Sequence, residues 1–149
     1  MHPAPWRRTK YSGGLSGRAA RNTGPELRLR SALHRRGLRF RLHRLIAEGL
    51  TADIILVRFR IAIFVDGCYW HQCPRHKPAP KGGPNAELWA EKFRRTKMRD
   101  SRGCQLAKRA GYHPLRIWEC EIIEDNVSVV RRILSAISHG TDTLHMQGG

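Results

Sequence analysis

The sequence predicts a single α/β domain with a central mixed sheet flanked by helices. Three observations predict it. Asp53 to Val57 and Ile61 to Val65 are apolar runs parted by Arg58, Phe59 and Arg60, as a hairpin of central strands requires. Helical patterns stand before and after that pair, with one further apolar run between the later ones. A length of 149 residues suits one domain with a modest core and is short for two.

Residues 1–22 carry Pro3, Pro5, Gly13, Gly14 and Gly17 among several arginines, a composition that cannot bury a core and predicts a flexible basic arm. Thr23-Gly24-Pro25-Glu26 then has the form of a helix start, with Thr23 as N-cap and Glu26 at the capping-box position. Leu27, Ala32 and Leu33 supply an apolar face and Gly37 a stop. Apolar and basic residues alternate from Leu38 to His43, as in a strand buried on one side, and a short loop through Gly49 leads into the hairpin. Residues 74–85 hold four prolines and two adjacent glycines and read as an irregular loop. Beyond Asn85, an N-cap residue, a basic helix runs to about Lys108 with a potential break near Gly103. Leu115 to Trp118 is the next strand. Val127, Val130, Ile133, Leu134 and Ile137 form a last amphipathic helix that should stop near Gly140. Residues 23–140 are thus the domain and 141–149 a polar C-terminal tail.

Lysine and arginine number 28 against 12 acidic residues, a net charge of +16, so a polyanion is the expected partner. Nucleic acid is favoured over a membrane, because the basic residues are dispersed and no apolar run approaches the roughly 18 residues of a spanning helix. Met1 to Arg8 has no apolar stretch after it, so it does not read as a secretory signal; a cytoplasmic location with reduced thiols is expected. Charge alone serves a nuclease and a non-catalytic RNA or DNA binder equally.

Two clusters carry candidate chemistry. Asp53 opens one strand and Asp66 closes the next, so a hairpin places both carboxylates at one end of the sheet, where Mg²⁺ binds oxygen ligands and assists phosphodiester cleavage. Glu26 can reach the same place, and His71 can take a proton from water there. The plainer alternative is that Asp66 is a turn residue before Gly67 and Glu26 only caps its helix. Cys68, Cys73, His76 and Cys120 are three thiols and an imidazole, the ligand set of a closed structural zinc site. Buried thiols beside an exposed histidine would read the same, and His71 competes as fourth ligand. Cys104 has no ligand near it in sequence and reads as a packed thiol.

The stretch Val65-Asp66-Gly67-Cys68-Tyr69-Trp70-His71-Gln72-Cys73-Pro74-Arg75-His76 resembles the hallmark segment of the very short patch repair endonucleases. Thr23 to Glu26, Leu88 to Lys92, Arg99-Asp100 and Ile117 to Glu121 follow in that family's order, so the resemblance spans about residues 15–125. It implies a restriction-endonuclease-like core. Asp53 and the carbonyl of Val65 would bind Mg²⁺, with Asp66 beside them, Glu26 supporting the water network and His71 as general base. Cys68, Cys73, His76 and Cys120 would hold Zn²⁺. Tyr69, Trp70 and Trp89 would wedge into the base stack, and Leu15 would enter from the other groove, at a T:G pair that opens more cheaply than a matched one. For an isolated tryptophan the alternative is simply a place in the core.

Three departures stand against the family pattern: Ala52 for a proline, Thr96 for an asparagine, and Gln72 after the histidine. The implied activity is a nick on the 5′ side of the mismatched T, by a monomer associated with the nucleoid. A cytosine-5 DNA methyltransferase and a repair polymerase are the implied functional companions. The rival expectations are a nuclease of the same fold without mismatch specificity and a zinc-stabilised nucleic-acid-binding module without catalysis.

Overall fold

In the computed structural model the described residues are 22–68, 73–75 and 85–146, with side chains described to His139. Leu15, Tyr69, Trp70, His71, Gln72 and His76 lie outside them. Helix α1 (Gly24–Arg35) is followed by β1 (Arg41–Ala47), β2 (Leu50–Leu56), β3 (Ile61–Asp66), α2 (Ala86–Arg109), β4 (His113–Trp118) and α3 (Glu119–Met146). The four strands form one sheet in the order β1-β2-β3-β4. The first three are antiparallel neighbours, and β4 runs parallel to β3 because α2 carries the chain back across the sheet.

Local chemistry explains the boundaries. Thr23 Oγ1 accepts the Glu26 amide, with Pro25 in the first turn. The helix ends where Gly37, at φ +74°, lets the Leu38 amide reach back to the Leu33 carbonyl. Between β2 and β3 a 3₁₀ turn over Val57–Phe59 closes on Arg60 in the left-handed conformation. Arg60 then donates to the Gly111 carbonyl at 2.9 Å and the Ala110 carbonyl at 3.1 Å, tying that turn to the end of α2.

The sheet is buried on both faces. Leu29 and Leu33 of α1 and Ile122, Val129, Val130 and Ile133 of α3 cover Ile54, Leu56, Ile61, Ile63 and Ile117. Ala52, Ile55, Ala62 and Phe64 form a second cluster on the other face, on the side of α2.

Several expectations change. The buried face of α1 is Leu29 and Leu33, while Leu27 is 48% exposed: the helix turns its i, i+4 pair to the sheet. The first strand begins at Arg41 and continues past His43 to Ala47, since pairing with β2 extends it. Helix α2 does not break at Gly103; a Cβ there would stand 3.0 Å from Leu50 Cδ1, so glycine serves close helix–sheet approach. Helix α3 passes Gly140 to Met146, and its one irregularity is at Asp125, where φ −152° and ψ 74° mark a kink. Among the described residues no helix is long and apolar enough to cross a membrane.

Candidate active site and metal cluster

The sheet opens at Asp53. Main-chain pairing between β2 and β3 runs from Leu56↔Ile61 to Ile54↔Ile63 and goes no further along β2. At the next position the Val65 amide donates to Asp53 Oδ2 at 2.8 Å, so a side chain replaces a ladder acceptor. Ala52 packs with Ile55 on one face and Ile54 with Leu56 on the other, so the alternation of the strand also changes at this residue. The second carboxylate oxygen, Oδ1, lies 4.0 Å from Nδ1 of His43.

On the other side of β2, Leu42 pairs with Ile54 and Arg44 with Ala52, which sets His43 across from Asp53. His43 has φ +48°, a left-handed backbone that is uncommon outside glycine and that asparagine, aspartate and histidine adopt more readily than other residues. Its Nδ1 lies 4.0 Å from Asp53 Oδ1 and its Nε2 lies 3.1 Å from Glu26 Oε1. Glu26, only 2% exposed, also takes the guanidinium of Arg30, one helical turn along α1. Glu26, His43 and Asp53 each offer a ligand atom within 4.8 Å of the others.

Burial pushes the Asp53 carboxyl above the usual carboxylate range; the Val65 amide and His43 pull it down, and Glu26 and Asp66 push it further up. A desolvated carboxylate among other carboxylates is what a divalent cation relieves. The donor set of two carboxylates and one imidazole, with ligand atoms within 4.8 Å of one another, fits such an ion.

Asp66 follows Val65 at the end of β3, and its carboxylate is engaged by an arginine that sequence reading did not pair with it. Both of its oxygens accept from Arg116, at 2.8 and 2.9 Å, and Arg116 also donates to Asp100 Oδ1 of α2 at 2.9 Å and lies over the Phe64 ring. The carboxylate is 4% exposed and braces β3, β4 and α2 immediately after Val65. Arginine in a short apolar strand was the available signal for this pairing. His43 was missed because the alternation of residues 38–43 gives no hint of what lies across the strand; for Arg30 the i, i+4 spacing from Glu26 was the clue.

The thiols converge as expected. Parallel pairing ends at Asp66↔Trp118, and Cys68 and Cys120 each follow two residues later, so both leave the sheet at one edge. Cys68, Cys73 and Cys120 are buried with their sulfurs within 4.8 Å of one another, and Cys73 and Cys120 are 3.7 Å apart, too far for a disulfide. Glu119 Oε1 accepts the Cys68 amide at 3.1 Å, and Arg75 pairs with Glu124 of α3 at 2.7 Å. Burial pushes the Cys68 thiol up to about 12 and raises Cys120 as well. Three buried sulfurs of this kind fit a thiolate-binding metal, which supplies the charge that burial denies. His76, the fourth member of the expected set, lies outside the described residues. Cys104 is half-buried on α2 near Arg116. Trp89 is half-buried and stacks on Phe93, with ring centroids 5.5 Å apart.

Comparison with known proteins decides what this edge belongs to. A family model described as DNA mismatch endonuclease Vsr matches residues 6–77. The type II nicking enzyme V.NaeI of Lentzea aerocolonigenes is 36% identical over 146 residues, 95% of this chain and 86% of that protein. The chain belongs to the Vsr endonuclease family. The DNA mismatch endonuclease Vsr of Escherichia coli strain K12 is 35% identical over 107 residues, 70% of this chain and 65% of that protein. The catalytic domain of the homing endonuclease I-Bth0305I shares the fold, with a TM-score of 0.54 at 23% identity over 80% of this chain and 98% of that one. As a Vsr-family endonuclease the protein is a phosphodiester hydrolase acting on DNA, which sets aside the non-catalytic module.

Proposed function

We propose that this enzyme nicks one strand of duplex DNA on the 5′ side of the T in a T:G mismatch and so starts very short patch repair. The observation that carries the reading is the edge at Asp53, with one carboxylate oxygen bound to the Val65 amide and the other turned toward His43. On this reading Asp53 and the Val65 carbonyl hold Mg²⁺ on a restriction-endonuclease-like core. When bound, that ion supplies positive charge at the reacting phosphate.

The chain's own residues do the rest. His71 takes a proton from the attacking water as the phosphodiester bond breaks. Glu26, held between Arg30 and His43, fixes the imidazole and the water around it. Asp66 acts on the edge through Arg116, which keeps the strand after Val65 in place. Cys68, Cys73, Cys120 and His76 hold Zn²⁺ and lock the loop that carries His71 onto α3. Tyr69, Trp70 and Trp89 stack into the opened base step, with Leu15 entering from the opposite groove. The partner is duplex DNA with a T:G pair, met in the cytoplasm by a monomer whose functional companions are a cytosine-5 methyltransferase and a repair polymerase.

The test compares T:G and T:A duplexes of otherwise identical sequence, with and without Mg²⁺. Nicking confined to the T:G duplex and dependent on Mg²⁺ supports the reading; equal rates on both make the enzyme a nuclease without mismatch specificity. Asp53→Ala should end nicking while leaving DNA binding largely intact.

A further inference from the structure

Glu26, His43 and Asp53 form a line across the α1–β1–β2 junction. The imidazole lies between the two carboxylates, with Nε2 3.1 Å from Glu26 and Nδ1 4.0 Å from Asp53. His43 reaches this place only by taking a backbone φ of +48° within a strand, a conformation that costs energy and is held by the surrounding structure. Arg30 Nη2 lies 2.9 Å from Nε2, and both nitrogens crowd on the same Glu26 oxygen. Nε2 can accept from Arg30, which puts the imidazole proton on Nδ1, or donate to Glu26, which leaves Nδ1 with a bare lone pair on the Asp53 side; a cation beside Asp53 selects the second tautomer. Carboxylate, imidazole and metal in that order are a recurring arrangement, in which the carboxylate fixes the tautomer and raises the basicity of the ligand nitrogen.

We infer that His43 Nδ1 is a direct ligand of the catalytic cation, making this a mixed nitrogen and oxygen site that prefers first-row transition ions to Mg²⁺. The inference rests on the reading of Asp53 as a metal ligand and adds a residue to it. A separation of 4.0 Å between Nδ1 and Oδ1 leaves room for one ion between them, since metal–nitrogen and metal–oxygen bonds are each about 2 Å. Glu26, engaged by Arg30, stays outside that shell and acts on the imidazole. The consequence is selectivity. Imidazole adds affinity for first-row divalent ions, least for Mn²⁺ and more toward Zn²⁺, and little for Mg²⁺, which demands oxygen and retains its water.

The experiment is Mn²⁺ binding to the full chain without DNA, followed by pulsed electron paramagnetic resonance. The wild-type protein should show a nitrogen coupling on bound Mn²⁺ that changes its pattern when histidine is labelled with ¹⁵N. His43→Gln should abolish the coupling, weaken Mn²⁺ binding about tenfold and alter Mg²⁺ binding by less than about threefold. His71→Gln, which should keep the coupling, separates the two imidazoles even where His43→Gln does not fold. Bound Mn²⁺ with no nitrogen coupling, or a coupling lost with His71, overturns the inference while leaving Asp53 as a ligand. Mn²⁺ binding unchanged by Asp53→Ala overturns the metal edge itself, and the inference with it.

Discussion

The carboxylate of Asp53 accepts the main-chain amide of Val65 at 2.8 Å, a bond that a regular ladder would give to a carbonyl of β2. One side chain thereby does two things: it satisfies a strand amide, and it holds two neighbouring strands apart where an ion can sit.

Those two roles can be separated. Asp53→Asn keeps an oxygen for the Val65 amide, so stability in urea should change by less than about 1 kcal/mol. Nicking should nonetheless fall about 10²- to 10³-fold, the equivalent of roughly 3 to 4 kcal/mol of transition-state stabilisation. Asp53→Leu should lose nicking equally and also destabilise by about 1–3 kcal/mol, because the amide is left without an acceptor.

Arg116 neutralises Asp66 and Asp100 across three elements, and it is itself 24% exposed. Arg116→Met should therefore destabilise by about 3 kcal/mol, the lower end for a broken buried pair, read as a shift of the urea midpoint. Arg116→Met combined with Asp66→Asn should lose less than the sum of the two single variants, since the second change removes the stranded charge.

Metal content tests the thiol cluster. Purified protein should carry about one zinc per chain, and Cys73→Ser should lose most of it together with several kcal/mol of stability. Asp53→Ala should keep its zinc; loss there would mean that the two sites are not independent.

The kink in α3 provides a pH test. Asp125 caps the second half of the helix: Oδ2 accepts the Ser128 hydroxyl at 2.6 Å and Oδ1 the Ser128 amide at 3.1 Å. These bonds hold its carboxyl below the ordinary carboxylate range, the side-chain bond first. The folded value is thus lower than the unfolded one near about 3.9. The stabilisation is complete above the unfolded value and is lost as pH falls through the folded one. Asp125→Ala should lower Tm by its full amount at pH 7 and by progressively less below about pH 4.

Much of this was legible in advance where the signal is local. The Thr23 cap, the pairing of the strands on either side of Arg58–Arg60 and the convergence of Cys68 and Cys73 depend on neighbours within a few residues and follow the pattern, although β2 runs Leu50–Leu56 and so holds Asp53 inside it instead of opening on it. The face of α1 was misjudged because Leu27 and Leu29 are equally apolar, and only packing against α3 selects Leu29. Gly103 looks like a helix break in sequence; contact with Leu50 turns it into a close-packing residue.

Sequence alone determined the charge that draws the chain to a polyanion, the two apolar strands, and the residue types that can hold one hard and one soft cation. Tertiary structure decided which of those residues meet. Asp66 went to Arg116 and His43 came to Asp53 because strand register and a single left-handed residue set the distances, and neither is written in the spacing of one segment.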